Sequence, residues 1–137
     1  MLVKAVPSRY AMPMTRLLTL VVLFALTVCG AIAAEAPYRH IVLFKFKADA
    51  PAAEIEKVEK AFAALKAKID LIQDYEWGTN VSPEGKADGF NHCFFVTFKN
   101  KADLEKYLPH PEHKKFGASL KGLIDKVMVV DYVAKGA

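Results

Sequence analysis

Three segments of this chain are apolar at nearly every position and rich in β-branched and aromatic residues, as β-strands are. They cover residues 38–46, 90–98 and 126–133. A strand with one face in water would alternate apolar and polar side chains. These three segments do not alternate, so both faces of the sheet that they form need a cover. That requirement limits the folds open to the chain more than any other feature.

The segments between those strands predict the remaining elements. Residues 50–69 place apolar side chains at intervals of three and four, which predicts an amphipathic helix. Residues 71–80 predict a further strand. A short helix over 101–107 is expected to stop at Pro109, and a second helix is expected to run over about 111–123.

The resulting order, β-α-β-β-α-β, predicts an α+β, ferredoxin-like fold with a four-stranded antiparallel sheet and helices on one face only. The opposite face then has no cover of its own, although its strands are apolar. A second copy of the sheet is the natural cover. We therefore expect a homodimer whose two sheets close into an α/β barrel, with a cavity in each half.

Residues 1–34 have the pattern of a secretory signal peptide. Basic residues precede an uncharged apolar run over 17–34, and small residues follow near its end. We expect cleavage near Ala34 and a domain that covers 35–137. The mature protein is then exported, either periplasmic or secreted, and makes no contact with a membrane after cleavage.

Three alternatives for this leader stay open. The apolar run could be retained as a membrane anchor, since its length is near the short limit for crossing a bilayer. The residues around Cys29 partly resemble a lipidation site. The true start could be Met12 or Met14 instead of Met1.

Removing the leader changes the charge of the chain. The whole sequence has 19 basic and 15 acidic residues, for a formal net charge of +4. The leader holds Lys4, Arg9 and Arg16 and no acidic residue, so the domain over 35–137 keeps a net charge of only +1. So small a charge gives no sign of a nucleic-acid partner, and none is expected.

The predicted fold can draw all four histidines toward one region. His40 and His92 lie early in two of the apolar strands, and His110 and His113 flank the break after Tyr107. If this break lies over the sheet, every imidazole could approach one cavity. Structural roles are the alternative: the strand histidines could bond each other or Tyr107, and His110 could cap the following helix.

Tyr107 and His113 have the chemistry of a proton-transfer pair. His113 lies in the first turn of its predicted helix, where the positive end of the helix dipole favours a neutral imidazole that can accept a proton. Tyr107 can donate its phenol hydrogen to a carbonyl oxygen. The reaction class that this suggests is proton abstraction next to a carbonyl, followed by condensation or isomerisation.

Metal and cofactor sites are less well supported by the sequence. His110 and His113, joined by His40 or His92, would supply nitrogen ligands for zinc or copper. Proline inside the His-x-x-His spacing disfavours a regular helical chelate, so no metal site is expected. The sequence contains neither a glycine-rich phosphate loop nor a Ser-His-Asp order, and no cofactor is expected.

Five stretches of the chain match the pattern of a known family. They are residues 39–47, the Tyr-Glu-Trp-Gly run at 75–78, strand 92–98, the Tyr-x-x-His-Pro-x-His segment at 107–113 and the Asp-Tyr pair at 131–132. Through them the chain resembles the stress-responsive dimeric α/β-barrel (Dabb) family over nearly all of residues 38–133. The resemblance implies the ferredoxin-like fold and the dimer.

The resemblance also implies roles for individual residues. Some plant members of the family are stress-induced, and one is a polyketide cyclase whose working pair would be Tyr107 and His113 here. We therefore expect a small-molecule-binding or stress-related protein, with a cofactor-free lyase, cyclase or isomerase as the alternative. The ligand would be small, apolar or aromatic, and carbonyl-bearing. Its expected contacts are His40, His92, His110 and Trp77.

Overall fold

The computed structural model describes residues 36–135. Its sheet consists of β1 (Tyr38–Phe46), β2 (Ile72–Thr79), β3 (His92–Phe98) and β4 (Ile124–Val133). The strand order is β2-β3-β1-β4, and each neighbouring pair is antiparallel. The helices are α1 (Ala52–Lys68), α2 (Lys101–Tyr107) and α3 (Pro111–Ser119). None of these helices is long and apolar enough to cross a membrane, and the predicted leader over 1–34 lies outside the described residues.

The three helices lie on one face of the sheet, which we call the helix-covered face. Even-numbered residues of β1 and β3 point to it, and Phe44, Phe94 and Phe98 are each at most 2% exposed. Phe62 of α1 stacks on Phe94 with ring centroids 4.4 Å apart, and it also contacts Phe116 of α3 at 4.6 Å. Each such buried side chain contributes roughly 1.5–3 kcal/mol of hydrophobic stabilisation. This is the predicted ferredoxin-like arrangement.

The opposite face, which we call the uncovered face, has no layer over it within one chain. Ile41 and Leu43 of β1 are half-buried there. The edge strand β4 is uncovered on both faces. Six of its seven large apolar side chains are between 40% and 53% exposed, namely Val127, Met128, Val129, Val130, Tyr132 and Val133. A continuous apolar edge of this kind marks a surface that another protein surface contacts.

The structure corrects the predicted end of the last helix. We expected it to run to about residue 123, but α3 ends at Ser119 and a turn follows over 120–123. Gly122 in that turn has a φ of +85°, which side chains with a Cβ rarely adopt. The early turn lets β4 begin at Ile124, two residues before the predicted start.

The remaining differences are one or two residues at element ends, where frayed hydrogen bonding decides the boundary. Helix α1 covers 52–68 instead of 50–69, with Pro51 as its N-cap. Strand β2 covers 72–79 instead of 71–80. Strand β3 starts at His92, because the N–H of Phe90 bonds back to the carbonyl of Ala87 in a turn.

Candidate functional site

The break between α2 and α3 holds Tyr107 and His113 against the sheet. Tyr107 is the last residue of α2 and is fully buried. Its ring centroid lies 4.3 Å from that of His113 in α3 and 6.1 Å from that of His40 in β1. The structure therefore brings three of the predicted site residues together.

The hydrogen bonds of the break determine how His113 is oriented. His110 is the N-cap of α3, and its Nδ1 accepts a hydrogen bond from the N–H of Glu112 at 3.2 Å. In a continuous helix that N–H would donate to the carbonyl of Leu108. The Leu108 carbonyl accepts instead from Nδ1 of His113, at 2.9 Å. The prolines on either side of His110 thus leave an acceptor that holds the His113 ring.

The partners of His113 and His40 determine which nitrogen carries the hydrogen. A carbonyl oxygen only accepts, so Nδ1 of His113 is the protonated nitrogen and Nε2 of the neutral ring holds a lone pair. Nδ1 of His40 lies 2.6 Å from Oδ1 of Asp131 in β4, and a carboxylate also only accepts. Both neutral rings therefore keep Nε2 as a hydrogen-bond or proton acceptor.

These side chains line a cavity of about 190 Å³ between the α2–α3 segment and strands β1 and β4. We call it the Tyr107 cavity. Its polar lining consists of His40, Tyr107 and His113. The apolar lining includes Val42, Phe44, Phe62, Phe116, Val127 and Val129. An apolar cavity with a few convergent polar groups is the usual form of a small-molecule site.

The hydroxyl of Tyr107 is buried and makes no hydrogen bond to any group in residues 36–135. Leaving such a donor unsatisfied costs roughly 1–3 kcal/mol. Burial, with the nearby Tyr75 phenol as a second cause, raises the pKa of Tyr107 well above its ordinary value. Tyr107 therefore keeps its proton at neutral and mildly alkaline pH, so its hydroxyl is available there as a hydrogen-bond donor.

His92 and Trp77 lie apart from the Tyr107 cavity. His92 pairs with Phe44, four residues along β1 from His40, which is a separation of roughly 13 Å. Its Nε2 lies 2.9 Å from Oε1 of Glu59 in α1, and the indole of Trp77 is parallel to its ring. The expectation that all four imidazoles reach one cavity is therefore wrong, because the strand spacing separates the two strand histidines. Ligand contacts from His92 and Trp77 stay predictions.

His110 caps α3 and does not line the Tyr107 cavity. Its Nδ1 is engaged by the helix, so a ligand contact could come only from its other nitrogen. Across residues 36–135, no group of three or more His, Cys, Asp or Glu side chains is placed to hold a metal ion. The ligand role predicted for His110 stays a prediction.

The sequence reasoning missed the acidic partners of the two strand histidines. Asp131 bonds His40 from 91 positions away, and Glu59 bonds His92 from 33 positions away. Neither pairing is visible without the sheet register. A signal did exist for Asp131, since it is the one charged residue in the run Val127–Val133 of an otherwise apolar strand.

A larger cavity of about 430 Å³ opens on the uncovered face and the loop that follows β2. Leu43, Cys93 and Met128 form its apolar walls, and burial raises the pKa of the Cys93 thiol. These walls belong to the face that needs a cover, so a second copy would reshape them. The Tyr107 cavity is the better candidate because its buried donor is already in place within one chain.

Comparison with known proteins identifies the family. Residues 38–134 match the model of the stress responsive A/B barrel domain, Dabb. The chain belongs to this family. The stress-response A/B barrel domain-containing protein HS1 of Arabidopsis thaliana is 35% identical over 99 residues, which cover 72% of this chain and 91% of that protein. Olivetolic acid cyclase of Cannabis sativa is 29% identical over 97 residues, or 71% of this chain and 96% of that protein.

Solved structures match the fold of this chain. Hydroxynitrile lyase from Passiflora edulis matches with a TM-score of 0.70 and 25% identity, over 75% of this chain and 97% of that one. A dimeric protein of unknown function from Bacteroides fragilis, with a ferredoxin-like fold, matches with a TM-score of 0.59 and 34% identity. That match covers 72% of this chain and 96% of the other. The predicted family and fold are confirmed, and relatives of this chain include dimeric proteins.

Replacing Tyr107 by phenylalanine should stabilise the protein, because it removes a buried donor without a partner. We expect Tyr107→Phe to raise the free energy of unfolding by about 1 kcal/mol at pH 7. The advantage should grow above pH ~10, where the unfolded tyrosine loses its proton while the folded one keeps it, so that wild-type stability falls. Urea unfolding at both pH values measures this. The half-buried Tyr38→Phe is the control, and a destabilised Tyr107→Phe would contradict the account.

Proposed function

We propose that this protein is an exported, homodimeric binding protein for a small apolar molecule that carries a carbonyl oxygen, with a stress-related role. The observation that carries the proposal is the hydroxyl of Tyr107, which is buried without a partner on a residue that lines an apolar cavity. A ligand with an oxygen in that position would remove the cost of the unsatisfied donor. The rest of the ligand would gain by leaving water.

The cavity lining favours a neutral ligand. Within the described residues no lysine or arginine lines the Tyr107 cavity. A carboxylate ligand would be buried without a cation, which is costly. The Asp131 carboxylate is already bonded by His40, which lines the cavity. A ketone, an aldehyde or an ester suits this lining better than an acid.

The cavity volume limits the size of the ligand. Pockets for drug-sized ligands usually measure roughly 300–1,000 Å³. The Tyr107 cavity measures about 190 Å³. A single aromatic ring with a short carbonyl side chain is therefore the expected class.

The binding proposal predicts that acetophenone binds better than ethylbenzene, which has the same ring and no oxygen. Tyr107→Phe should weaken acetophenone binding by about two- to tenfold, the loss expected for one hydrogen bond. It should leave ethylbenzene binding unchanged. Titration calorimetry on wild type and variant measures both ligands. Equal losses for the two ligands, or no binding of either, would contradict the proposal.

The homodimer is supported by the apolar uncovered face and by the dimeric relative from Bacteroides fragilis. Val130 lies on that face, opposite Ile41, and is 44% exposed. We expect Val130→Asp to shift a wild-type dimer to monomer in sedimentation at micromolar concentration. Val81→Asp is the control, since Val81 is 91% exposed in a loop and should not affect assembly. A monomeric wild type at that concentration would exclude the homodimer.

A second candidate function is cofactor-free proton transfer by a lyase, cyclase or isomerase. The observation that favours it is the hydrogen bond from Nδ1 of His113, which leaves a lone pair on Nε2 of the neutral ring. The ring centroids of His113 and Tyr107, the phenol donor, lie 4.3 Å apart. Nε2 would take a proton from the carbon beside the ligand carbonyl. The C–H electron pair would become part of an enolate, whose oxygen the Tyr107 hydroxyl would hold. Relatives named as a cyclase and a lyase support this class.

Proton transfer predicts that the protein exchanges the methyl hydrogens of acetophenone with D₂O faster than buffer does. Proton NMR of the methyl signal measures the rate. A positioned general base contributes roughly 10²–10⁴-fold, and His113→Ala should lose that acceleration while it still binds acetophenone. His110→Ala is the matched control, since His110 serves as a cap. If acetophenone binds but its methyl hydrogens do not exchange faster than in buffer, proton transfer is excluded and only the binding function remains.

The proposal of export rests on the pattern of residues 1–34, which lie outside the described residues. Expression of the full chain in a Gram-negative host should deliver the protein to the periplasm. Its mass should correspond to an N-terminus near Glu35. A lipid mass on Cys29 or an intact chain in the membrane fraction would support one of the alternatives. An intact chain in the cytoplasm would exclude export.

A further inference from the structure

One row of side chains across the sheet ends in an exposed apolar group at each edge. Trp77 pairs with Phe94, Phe94 with Val42, and Val42 with Val129. Directly paired residues point to the same side, so the row lies on the helix-covered face. Its two middle residues are at most 6% exposed, whereas Trp77 is 41% and Val129 is 49% exposed.

The β4 member of this row, Val129, is exposed and lines the Tyr107 cavity. Val127 and Val129 both line the cavity, yet each is about half exposed. The helices therefore leave the cavity open along the edge strand. Leu108, at the break between α2 and α3, also lines the cavity and is 45% exposed. Within one chain the site lacks a cover on this side.

Closing two sheets into a barrel brings an edge of one copy beside an edge of the other. The edge strands of each sheet are β2 and β4. If like edges met, β2 of one protomer would lie beside β2 of the other. Asp74 and Glu76 of β2 are exposed on the uncovered face, which becomes the inside of the barrel. With the two-fold axis near the middle of β2, these carboxylates would face those of the copy, and like charges across neighbouring strands are destabilising. Unlike edges avoid this contact.

A two-fold axis along the strand direction joins the unlike edges. Within one sheet β2 and β4 run in opposite directions, because each of the three pairings is antiparallel. An axis along the strands keeps those directions, so β4 of one copy lies antiparallel to β2 of the other. Rotation about this axis does not shift residues along the strands, so paired rows of the two copies stay at the same height. The end of the row at Val129 then meets the end at Trp77 of the second copy.

We propose that Trp77 of the second copy closes the Tyr107 cavity of the first, so that each site is shared by two protomers. The inference rests on the proposed homodimer and its ligand-binding function. An indole supplies a large, flat apolar surface. It covers the exposed side of Val127 and Val129 and gives an aromatic ligand a ring to pack against. Trp77 thereby joins the site from the neighbouring chain.

A disulfide between the two edges tests this arrangement directly. Trp77→Cys and Val129→Cys are combined in a chain whose native cysteines are replaced by Cys29→Ser and Cys93→Ala. Within one chain, β2 and β4 are three strand spacings apart, or roughly 14 Å, and a disulfide needs Cα atoms within about 7 Å. A bond can therefore form only between copies. We expect a covalent dimer after mild oxidation.

A second pair allows for the stagger of strands in a closed barrel. Trp77→Cys with Val127→Cys probes the next position on the same face. A covalent dimer from either pair supports the proposal. Sedimentation measures the oligomeric state of the same variants. A dimer that forms no crosslink overturns the shared site alone. A monomer overturns the homodimer as well. Crosslinking of Trp77→Cys or Val129→Cys alone would show that like edges meet, which also overturns it.

Mixed dimers test whether Trp77 serves the neighbouring site. Trp77→Ala chains are refolded together with Tyr107→Phe chains, and acetophenone is titrated by calorimetry. In a mixed dimer with shared sites, one site has both residues intact and the other has neither. We expect half of the sites in mixed dimers to regain wild-type affinity, and neither parent to show any such sites. If mixing restores no sites while wild type binds acetophenone, the binding function holds and the shared site fails.

Discussion

The apolar character of both faces of the sheet is the constraint on which the rest of this structure depends. The helices cover one face, and there Phe62 of α1 packs on Phe94 at the centre of the core. They do not extend over β4, whose apolar side chains remain about half exposed. The same incomplete cover leaves room for a cavity between the α2–α3 segment and strands β1 and β4. The proposed assembly and the proposed ligand binding thus have one physical origin, which is apolar surface that a single chain cannot bury.

The buried hydroxyl of Tyr107 links stability to function. A donor without a partner lowers the stability of the empty protein and at the same time defines what a ligand must supply. The two neighbouring imidazoles are each held by an acceptor, His113 by the Leu108 carbonyl and His40 by Asp131. Their remaining nitrogens can therefore accept but not donate in the neutral state. Of these groups only the Tyr107 hydroxyl can donate to a carbonyl oxygen, so it is the group that would distinguish a carbonyl-bearing ligand from a plain hydrocarbon.

The sequence pattern predicts most of this fold, because the unbroken β-branched and aromatic run in β1 and the apolar spacing of three to four in α1 are local properties. It also predicts a break after Tyr107, since two prolines mark it, but the position of that break over the sheet is only a condition of the site hypothesis. What it does not supply is distance along a strand. His40 and His92 look equivalent in the sequence, but the register places them roughly 13 Å apart, with Asp131 and Glu59 as separate partners. Long-range pairing of this kind depends on the assembled sheet.

The most direct test of the central claim is the carbonyl stretching frequency of ¹³C-labelled acetophenone bound to the protein. A hydrogen bond from Tyr107 weakens the C=O bond and lowers that frequency. The account predicts a lower frequency in the wild-type complex than in an apolar solvent, and a return toward the solvent value in Tyr107→Phe. The same frequency in both complexes would contradict it, because the hydroxyl would then not be the group that recognises the ligand.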